Sequence, residues 1–363
     1  MSGPLYLVAD DLTGALDSAC AFAQPGAPVA VSWASAAPGT TASLAFSTET
    51  RDVSGTTAQQ CAAAAAEAAR SAPAGTLLFK KLDSLLRGHP ALELAAFAEV
   101  VRPDRIVLAP AHPSLGRITR GGWQHMRLPD GSFERISVDL AAGLAACGIG
   151  SDLLLADAET DAELEALVVR ECAEGGRILW CGSGGLAQAL AGGRCSFLPV
   201  PTGAVLAVVG TDHAVTAGQV EALRERDPAA VICWQDGDEP ADIARKLNAR
   251  LDRTGVTVLK PGIAPCGRQE AARRIAAMLT PLMGLLHRPG ALFCSGGETL
   301  RVVCDALGAE ALFCEGLVAD GVPLSQIRTE RWPMLPVMSK SGAFGSRQTL
   351  LDLLMPVPER VLS

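Results

Sequence analysis

Short apolar runs recur along the chain, spaced widely enough for a helix between each pair. Leu5–Val8, Val29–Trp33, Leu44–Phe46, Thr76–Phe79, Ile106–Leu108, Leu153–Leu155 and Ile178–Trp180 form one series. Val205–Val209, Ala230–Trp234, Val256–Leu259, Leu292–Cys294 and Val337–Ser339 form a second. Apolar runs without polar alternation predict strands buried on both faces, and strands alternating with helical stretches predict parallel sheets covered by helices. Between the series lies Ser196-Phe197-Leu198-Pro199-Val200-Pro201-Thr202-Gly203, whose prolines and glycine interrupt any regular element. The fold class expected is therefore α/β, as two α/β domains with mainly parallel sheets, 1–198 and 203–363, and an interdomain cleft.

The charged residues cluster where the first-series strands end. The run beginning at Leu5 stops at Asp10 and Asp11, and a helical pattern, Ala15 to Ala23, follows. In open α/β sheets the ligand crevice lies beyond the carboxyl ends of the strands, so both carboxylates would stand at its edge. Capping the helix is the ordinary alternative, but one carboxylate suffices for a cap, and a like-charged neighbour is unfavourable without a cation. After Thr76–Phe79 come Lys80, Lys81, Asp83, Ser84 and Arg87, a set able to hold a polar anion, with Arg87 capable of bidentate grip. A solvated helix face is the alternative there. The loop from Ala109 to Thr119 carries two prolines, His112 and Arg117; a lone loop histidine is more often structural than a proton shuttle. Arg51 is a further cation, with an ion pair to Glu49 or Asp52 as its ordinary explanation.

The second series carries glycine where the first carries charge. Cys294-Ser295-Gly296-Gly297-Glu298-Thr299 and Ser339-Lys340-Ser341-Gly342-Ala343-Phe344-Gly345 each follow a strand and lead toward a helix, as does Gly210-Thr211-Asp212-His213-Ala214-Val215-Thr216. Glycine lets the backbone approach phosphate oxygens, and a helix start offers unpaired N–H donors. No turn has the P-loop spacing or a clean G-x-G-x-x-G, so the signal lies in their number.

Composition narrows the classes. Aromatic residues make up 4% of the 363, so the core must be largely Ala, Leu and Val. A net charge of −8 without a Lys/Arg stripe argues against nucleic-acid binding. No uncharged apolar stretch reaches the ~20 residues of a membrane helix, and the Ala-rich run Cys61 to Ala69, broken by Glu67, is amphipathic. Eleven cysteines without a C-x-x-C pair, and no basic signal segment at the start, point to reduced thiols and a cytoplasmic setting. The five histidines show no zinc spacing, so no protein metal site is expected; any metal would be magnesium carried in with nucleotide phosphates.

In order along the chain, Ala9-Asp10-Asp11-Leu12-Thr13-Gly14-Ala15, Lys80-Lys81-Leu82-Asp83-Ser84 with Leu86-Arg87-Gly88, Ala109-Pro110-Ala111 to Gly116-Arg117, Gly182-Ser183-Gly184-Gly185-Leu186-Ala187, Gly296-Gly297-Glu298-Thr299 and Lys340 to Gly345 resemble the four-carbon acid sugar kinase family. That family includes D-threonate, D-erythronate and 3-oxo-tetronate kinases. The resemblance implies an ATP- and Mg2+-dependent kinase of carbohydrate metabolism, acting on the terminal hydroxyl of a small sugar acid. Asp10, Asp11, Arg51, Lys81, Asp83, Ser84 and Arg87 would line the acid pocket, the cations on the carboxylate and Asp11 or Asp10 as base, with Asp83 in reserve. His213, Gly296, Gly297, Glu298, Thr299, Gly342 and Gly345 would contact ATP. The partners expected are the acid and ATP, with no nucleic acid and no membrane; homo-oligomer formation is open. Residues 210–216 stand where the family commonly has Gly-Ser-Cys-Ser-Pro-Val-Thr, and the acidic Asp212 is unfavourable beside phosphate unless it holds the metal. Two alternatives follow: a non-catalytic sugar-acid sensor with a degenerate nucleotide site, and a dinucleotide oxidoreductase, which the missing G-x-G-x-x-G after the first strand weakens.

Overall fold

Among the described residues, helices lie in most of the intervals between the apolar runs. The structure is a computed structural model, describing residues 3–34, 43–150, 152–193, 195–235, 237–264 and 266–355. The chain divides into two units, Met1–Ser196 with Phe313–Gly316, and Phe197–Leu312 with Leu317–Ser363.

The first unit runs β1 (Leu5–Ala9), α1 (Leu12–Phe22), β2 (Val29–Ser32), β3 (Leu44–Ser47), α2 (Gly55–Arg70), β4 (Leu77–Lys81), α3 (Pro90–Val101) and β5 (Arg105–Ala109). It continues through β6 (Arg117–Arg120), β7 (Trp123–Arg127), β8 (Phe133–Arg135), α4 (Leu140–Ala146), β9 (Leu153–Leu155), α5 (Asp161–Glu174), β10 (Ile178–Gly182) and α6 (Gly184–Leu190). Seven strands lie in the order β2-β3-β1-β4-β10-β5-β9, all paired in parallel. The chain passes from β1 outward to β2 and β3 on one side, then crosses by α2 to β4 on the other. The β1/β4 boundary is therefore a topological switch point, where the loops after both strands part and leave a crevice. Alanines at 58, 62, 65, 66 and 69 form the buried stripe of α2, and such small side chains let it pack closely on α3. The core beneath includes Tyr6, Phe97, Leu108 and Leu144, and the Tyr6 hydroxyl donates to the Ala65 carbonyl at 2.8 Å.

Two features of this unit depart from the sequence reading. β4 continues through Lys80 and Lys81, so Lys80 lies within the sheet rather than in the loop beyond it. Its ammonium is fully buried, 2.7 Å from Glu93 Oε2 on α3, while Glu93 Oε1 accepts from Thr50 at 2.7 Å. Lys80 thus ties β4 to α3. The second departure is the antiparallel sheet β6-β7-β8, whose residues are too polar to stand out as apolar runs.

The second unit runs β11 (Val205–Val209), α7 (Ala214–Arg226), β12 (Val231–Trp234), α8 (Pro240–Thr254), β13 (Val256–Pro261), α9 (Arg268–Met283), β14 (Ala291–Ser295) and α10 (Gly297–Ala306). β15 (Ala311–Ala319), apart from its residues Phe313–Gly316, β16 (Val322–Ile327), β17 (Leu335–Lys340) and α11 (Thr349–Leu354) complete it. β12-β13-β11-β14-β17 pair in parallel, and β16 joins β17 antiparallel. The core gathers Val209, Leu223, Phe293, Met338 and Leu350.

Candidate functional site

The carboxyl ends of β3, β1 and β4 are neighbours, and the charges they carry form one network. Arg51, four residues beyond β3, lays its guanidinium across both acids that end β1. Nε and Nη2 donate to Asp10 at 2.7 and 2.8 Å, and Nη1 and Nη2 donate to Asp11 at 2.6 and 2.8 Å. Asp83 Oδ1 lies 3.7 Å from the same group. Neither Glu49 nor Asp52 supplies these contacts. Burial by itself would lower the Arg51 pKa; Asp11 and Asp10 outweigh it and hold the guanidinium charged. Asp11 serves a second purpose, accepting from the Gly14 amide at 2.8 Å and the Thr13 hydroxyl at 2.6 Å, so the helix cap and the ionic role coexist in one residue.

The loop after β4 folds back on itself to bring in the other charges. Asp83 Oδ2 accepts from the Leu85 and Arg87 amides, each at 3.2 Å, and Arg87 clamps both oxygens from Nε at 2.8 Å and Nη2 at 2.7 Å. Leu86 takes φ 58°, a left-handed conformation costly for a branched side chain, and is nevertheless buried. Ser84 is half-buried beside it, and Gln124 on β7 holds its carbonyl at 2.9 Å together with that of Pro110 at 3.1 Å. Three carboxylates (Asp10, Asp11, Asp83) thus meet three cations (Arg51, Arg87, Lys81). Both arginines are committed to carboxylates. Lys81 differs: the residue is 4% exposed, and its ammonium donates to the Leu82 carbonyl at 2.9 Å and has no ion pair among the described residues. An anion entering here would find Lys81 with N–H donors to spare. His112 is buried, and burial depresses its pKa, leaving a neutral imidazole at pH 7.

Burial pushes the Asp83 carboxyl up, but Arg87, Arg51 and Lys81 outweigh it and hold the group well below the usual carboxylate range. Its folded pKa lies beneath the unfolded value, so the unfolded chain binds more protons in acid. The stability this gives is present above about pH 4 and is lost as pH falls further, through the folded value. Asp83→Asn is expected to flatten the acid limb of a stability–pH profile followed by urea unfolding; an acid limb unchanged by the substitution would contradict the assignment.

In the second unit the three glycine turns converge at β11, β14 and β17, which are adjacent strands. A Cβ on Gly342 would lie 2.5 Å from Thr211 Oγ1 and 3.1 Å from His213 Cβ, and one on Gly296 would lie 3.3 Å from Thr299 Oγ1. A Cβ on Gly210 would collide with the Thr299 hydroxyl. The turns therefore rest on one another with no room for side chains. Gly296 at φ 102° and Gly345 at φ 89° hold backbone shapes that other residues rarely adopt. α10 starts without any side-chain cap, leaving the first amides, from Gly297 on, unclaimed by a capping group. Glu298, in that first turn, is engaged by Arg301 at 2.9 Å, and Thr299 is 2% exposed, packed under the turns rather than open above them. His213 is exposed and caps α7, its Nδ1 accepting from the Val215 amide at 3.3 Å. The altered 210–216 segment is also anchored by Lys260, whose ammonium donates to the Thr211 carbonyl at 2.7 Å and whose charge faces Asp212.

Comparison with known proteins gives each unit a description. Residues 5–132 match the family described as a sugar-binding N-terminal domain, and residues 206–350 match a nucleotide-binding C-terminal domain. A D-threonate kinase of Cupriavidus necator is 33% identical, with 95% of each chain covered. The chain belongs to the four-carbon acid sugar kinase family. A D-threonate kinase of Bordetella bronchiseptica is 28% identical over 99% of both chains, and a D-erythronate kinase of Heliobacterium modesticaldum is 24% identical over 86% of this chain and 87% of its own. Among solved structures, a Salmonella typhimurium protein described as a putative tRNA synthase aligns with a TM-score of 0.73 at 20% identity, covering 96% of this chain and 98% of its own. A Haemophilus influenzae protein aligns with a TM-score of 0.67 at 18% identity, covering 97% and 100%. Those two likenesses concern the fold. With family membership, a kinase acting on a sugar acid is the activity its relatives' names support.

The structure brings Asp10, Asp11, Arg51, Lys81, Asp83, Ser84 and Arg87 of this kinase-family chain to one crevice edge. It brings His213, Gly296–Thr299, Gly342 and Gly345 to one group of strand ends. Sequence reasoning gave no role to Gln124, which braces the Ser84 loop, or to Lys260, and named Lys340 only as part of a turn motif. Each of those lysines is a lone basic residue closing an apolar run, the signal that singled out Asp10.

Proposed function

We propose that this protein transfers the γ-phosphoryl group of ATP to the terminal hydroxyl of a four-carbon sugar acid of the threonate, erythronate or 3-oxo-tetronate class. The observation that carries the reading is the contrast between its two strand-end sites: a balanced ionic network with one unpaired buried ammonium in the sugar-binding family domain, and mutually packed glycine turns in the nucleotide-binding one. Lys81, joined by the outer face of the half-exposed Arg87 side chain, receives the acid's carboxylate. Arg51 holds Asp10 and Asp11 in fixed rotamers. Asp11, the more exposed of the two acids at 20% against 5%, takes the proton of the attacking hydroxyl. Asp83, held well below the usual carboxylate range by the cations around it, positions Arg87.

On the nucleotide side the residues fit a polyphosphate: turns in which a Cβ on Gly210, Gly342 or Gly345 would collide with a neighbour, and an uncapped helix start whose N–H groups favour anions. Gly296, Gly297, Gly342 and Gly345 offer backbone to phosphate oxygens, and His213 edges the site. Magnesium, on this reading, arrives on the nucleotide's phosphates. Bound magnesium would supply charge neutralisation between phosphate oxygens. Positioning and proton removal are left to the side chains named above.

The test is ADP release from ATP–magnesium with D-threonate, D-erythronate and their 3-oxo forms. Turnover with one of them is expected. Saturable binding of the acid without nucleotide binding or turnover would instead make the protein a sensor.

A further inference from the structure

Lys340 ends β17 and is 2% exposed, yet it has no ion pair among the described residues. Its ammonium donates to the Thr216 hydroxyl at 2.8 Å and to the Ser341 carbonyl at 3.0 Å. Both acceptors are neutral. An ammonium has three N–H donors, so one remains. A buried cation held only by neutral oxygens is costly, and such groups persist where a counter-charge arrives with a ligand.

The surroundings say which ligand. Thr216 is the third residue of α7, and its hydroxyl also contacts the Gly342 carbonyl at 2.7 Å and Ser295 Oγ at 3.4 Å. Ser341 opens the turn containing Gly342 and Gly345. Ser295 pairs with Lys340 across β14 and β17, and the Gly296 amide donates to the Lys340 carbonyl at 2.9 Å. Through these contacts the ammonium is joined to all three glycine turns at once. We propose that Lys340 is the buried counter-charge for the nucleotide's phosphates, pairing with a phosphate oxygen seated on the glycine turns. This inference rests on the kinase reading and adds a residue to its nucleotide site.

Lys340 also has the titration expected of such a group. Burial lowers its pKa to about 8. The titratable groups nearest in the three turns and on β13 and β14 are Asp212 and His213 ahead of α7, Lys260, Cys294 and Glu298 at the start of α10, and neither they nor the acids farther along α7 and α10 form an ion pair with the ammonium among the described residues. A phosphate placed there raises the pKa again, so nucleotide binding near pH 8 should draw in a fraction of a proton, at most about one half. At pH 6.5, where the ammonium is already charged, that uptake should vanish.

The experiment is calorimetry of the full-length protein with ADP, adenosine and ATP–magnesium, in buffers of differing ionisation enthalpy, for wild type, Lys340→Gln and Lys340→Met. Lys340→Gln keeps a hydrogen-bond donor and removes the charge. The expected result is ADP affinity weakened about 10- to 100-fold in both variants, as for a lost hydrogen bond to a charged group, with adenosine affinity unchanged and the pH 8 proton uptake abolished. A merely structural lysine would change the melting temperature and leave the ratio of ADP to adenosine affinity where it was. That result overturns the inference and leaves the kinase reading standing. Wild type that binds no adenine nucleotide overturns the reading and the inference with it. Should neither variant fold, wild-type proton uptake at pH 8 but not at pH 6.5 supports the inference, and equal uptake at both overturns it.

Discussion

Replacing Arg51 with methionine is expected to destabilise the first unit by about 3–5 kcal/mol, the range for removing one partner of a buried ion pair, and to abolish turnover. Arg51 spends four N–H donors on two carboxylates whose side chains are 5% and 20% exposed. Without it those carboxylates, and Asp83 beside them, face one another in a site too dry to screen them. Lysine is a poor substitute, because a single ammonium cannot fork across two carboxylates. Combining Arg51→Met with Asp10→Asn and Asp11→Asn removes the unpaired charges and should recover much of the lost stability, but none of the activity. Urea unfolding and a steady-state assay read the two effects separately. An Arg51→Met protein as stable as wild type would mean that the network is not what holds these strand ends together.

The second large effect is expected at Asp11. Asparagine caps helices as well as aspartate does, so Asp11→Asn keeps the bond to the Gly14 amide while losing the basicity. Turnover should fall about 10²- to 10⁴-fold, the usual contribution of a general base, with much smaller changes in stability and in the affinity for the acid. If Asp11→Asn turns over like wild type while Asp10→Asn does not, the base is Asp10 and Asp11 is a cap and an arginine partner only.

Much of the fold is legible in the sequence. The apolar runs marked the parallel strands, because strands buried on both faces have nowhere to place polar residues. The antiparallel strands β6, β7, β8 and β16, and β15 beside them in sequence, were not read. In the β6–β8 sheet the polar residues Gln124, Arg127 and Arg135 interrupt the apolar signal, and β15 carries Glu315 and Gly316. The charges after β1 and β4 were recognisable as a cluster, but their pairing was not. Arg51 is 40 residues from Asp11, and only the parallel pairing of β1 with β3 brings them together. Lys80 and Lys81 are adjacent in sequence and opposite in use, since consecutive side chains of a strand point to opposite faces. One meets Glu93 inside the sheet layer and the other the crevice loop. Composition cannot reveal that division.

Amide hydrogen exchange with each ligand alone tests the central claim most directly. D-threonate or D-erythronate, whichever is turned over, is predicted to slow exchange at residues 10–14, 48–53 and 81–88. ADP is predicted to slow exchange at 211–216, 296–300 and 341–346. Protection of the glycine turns by the sugar acid, or of the Arg51 network by ADP, with no change at the assigned segments, would contradict the account.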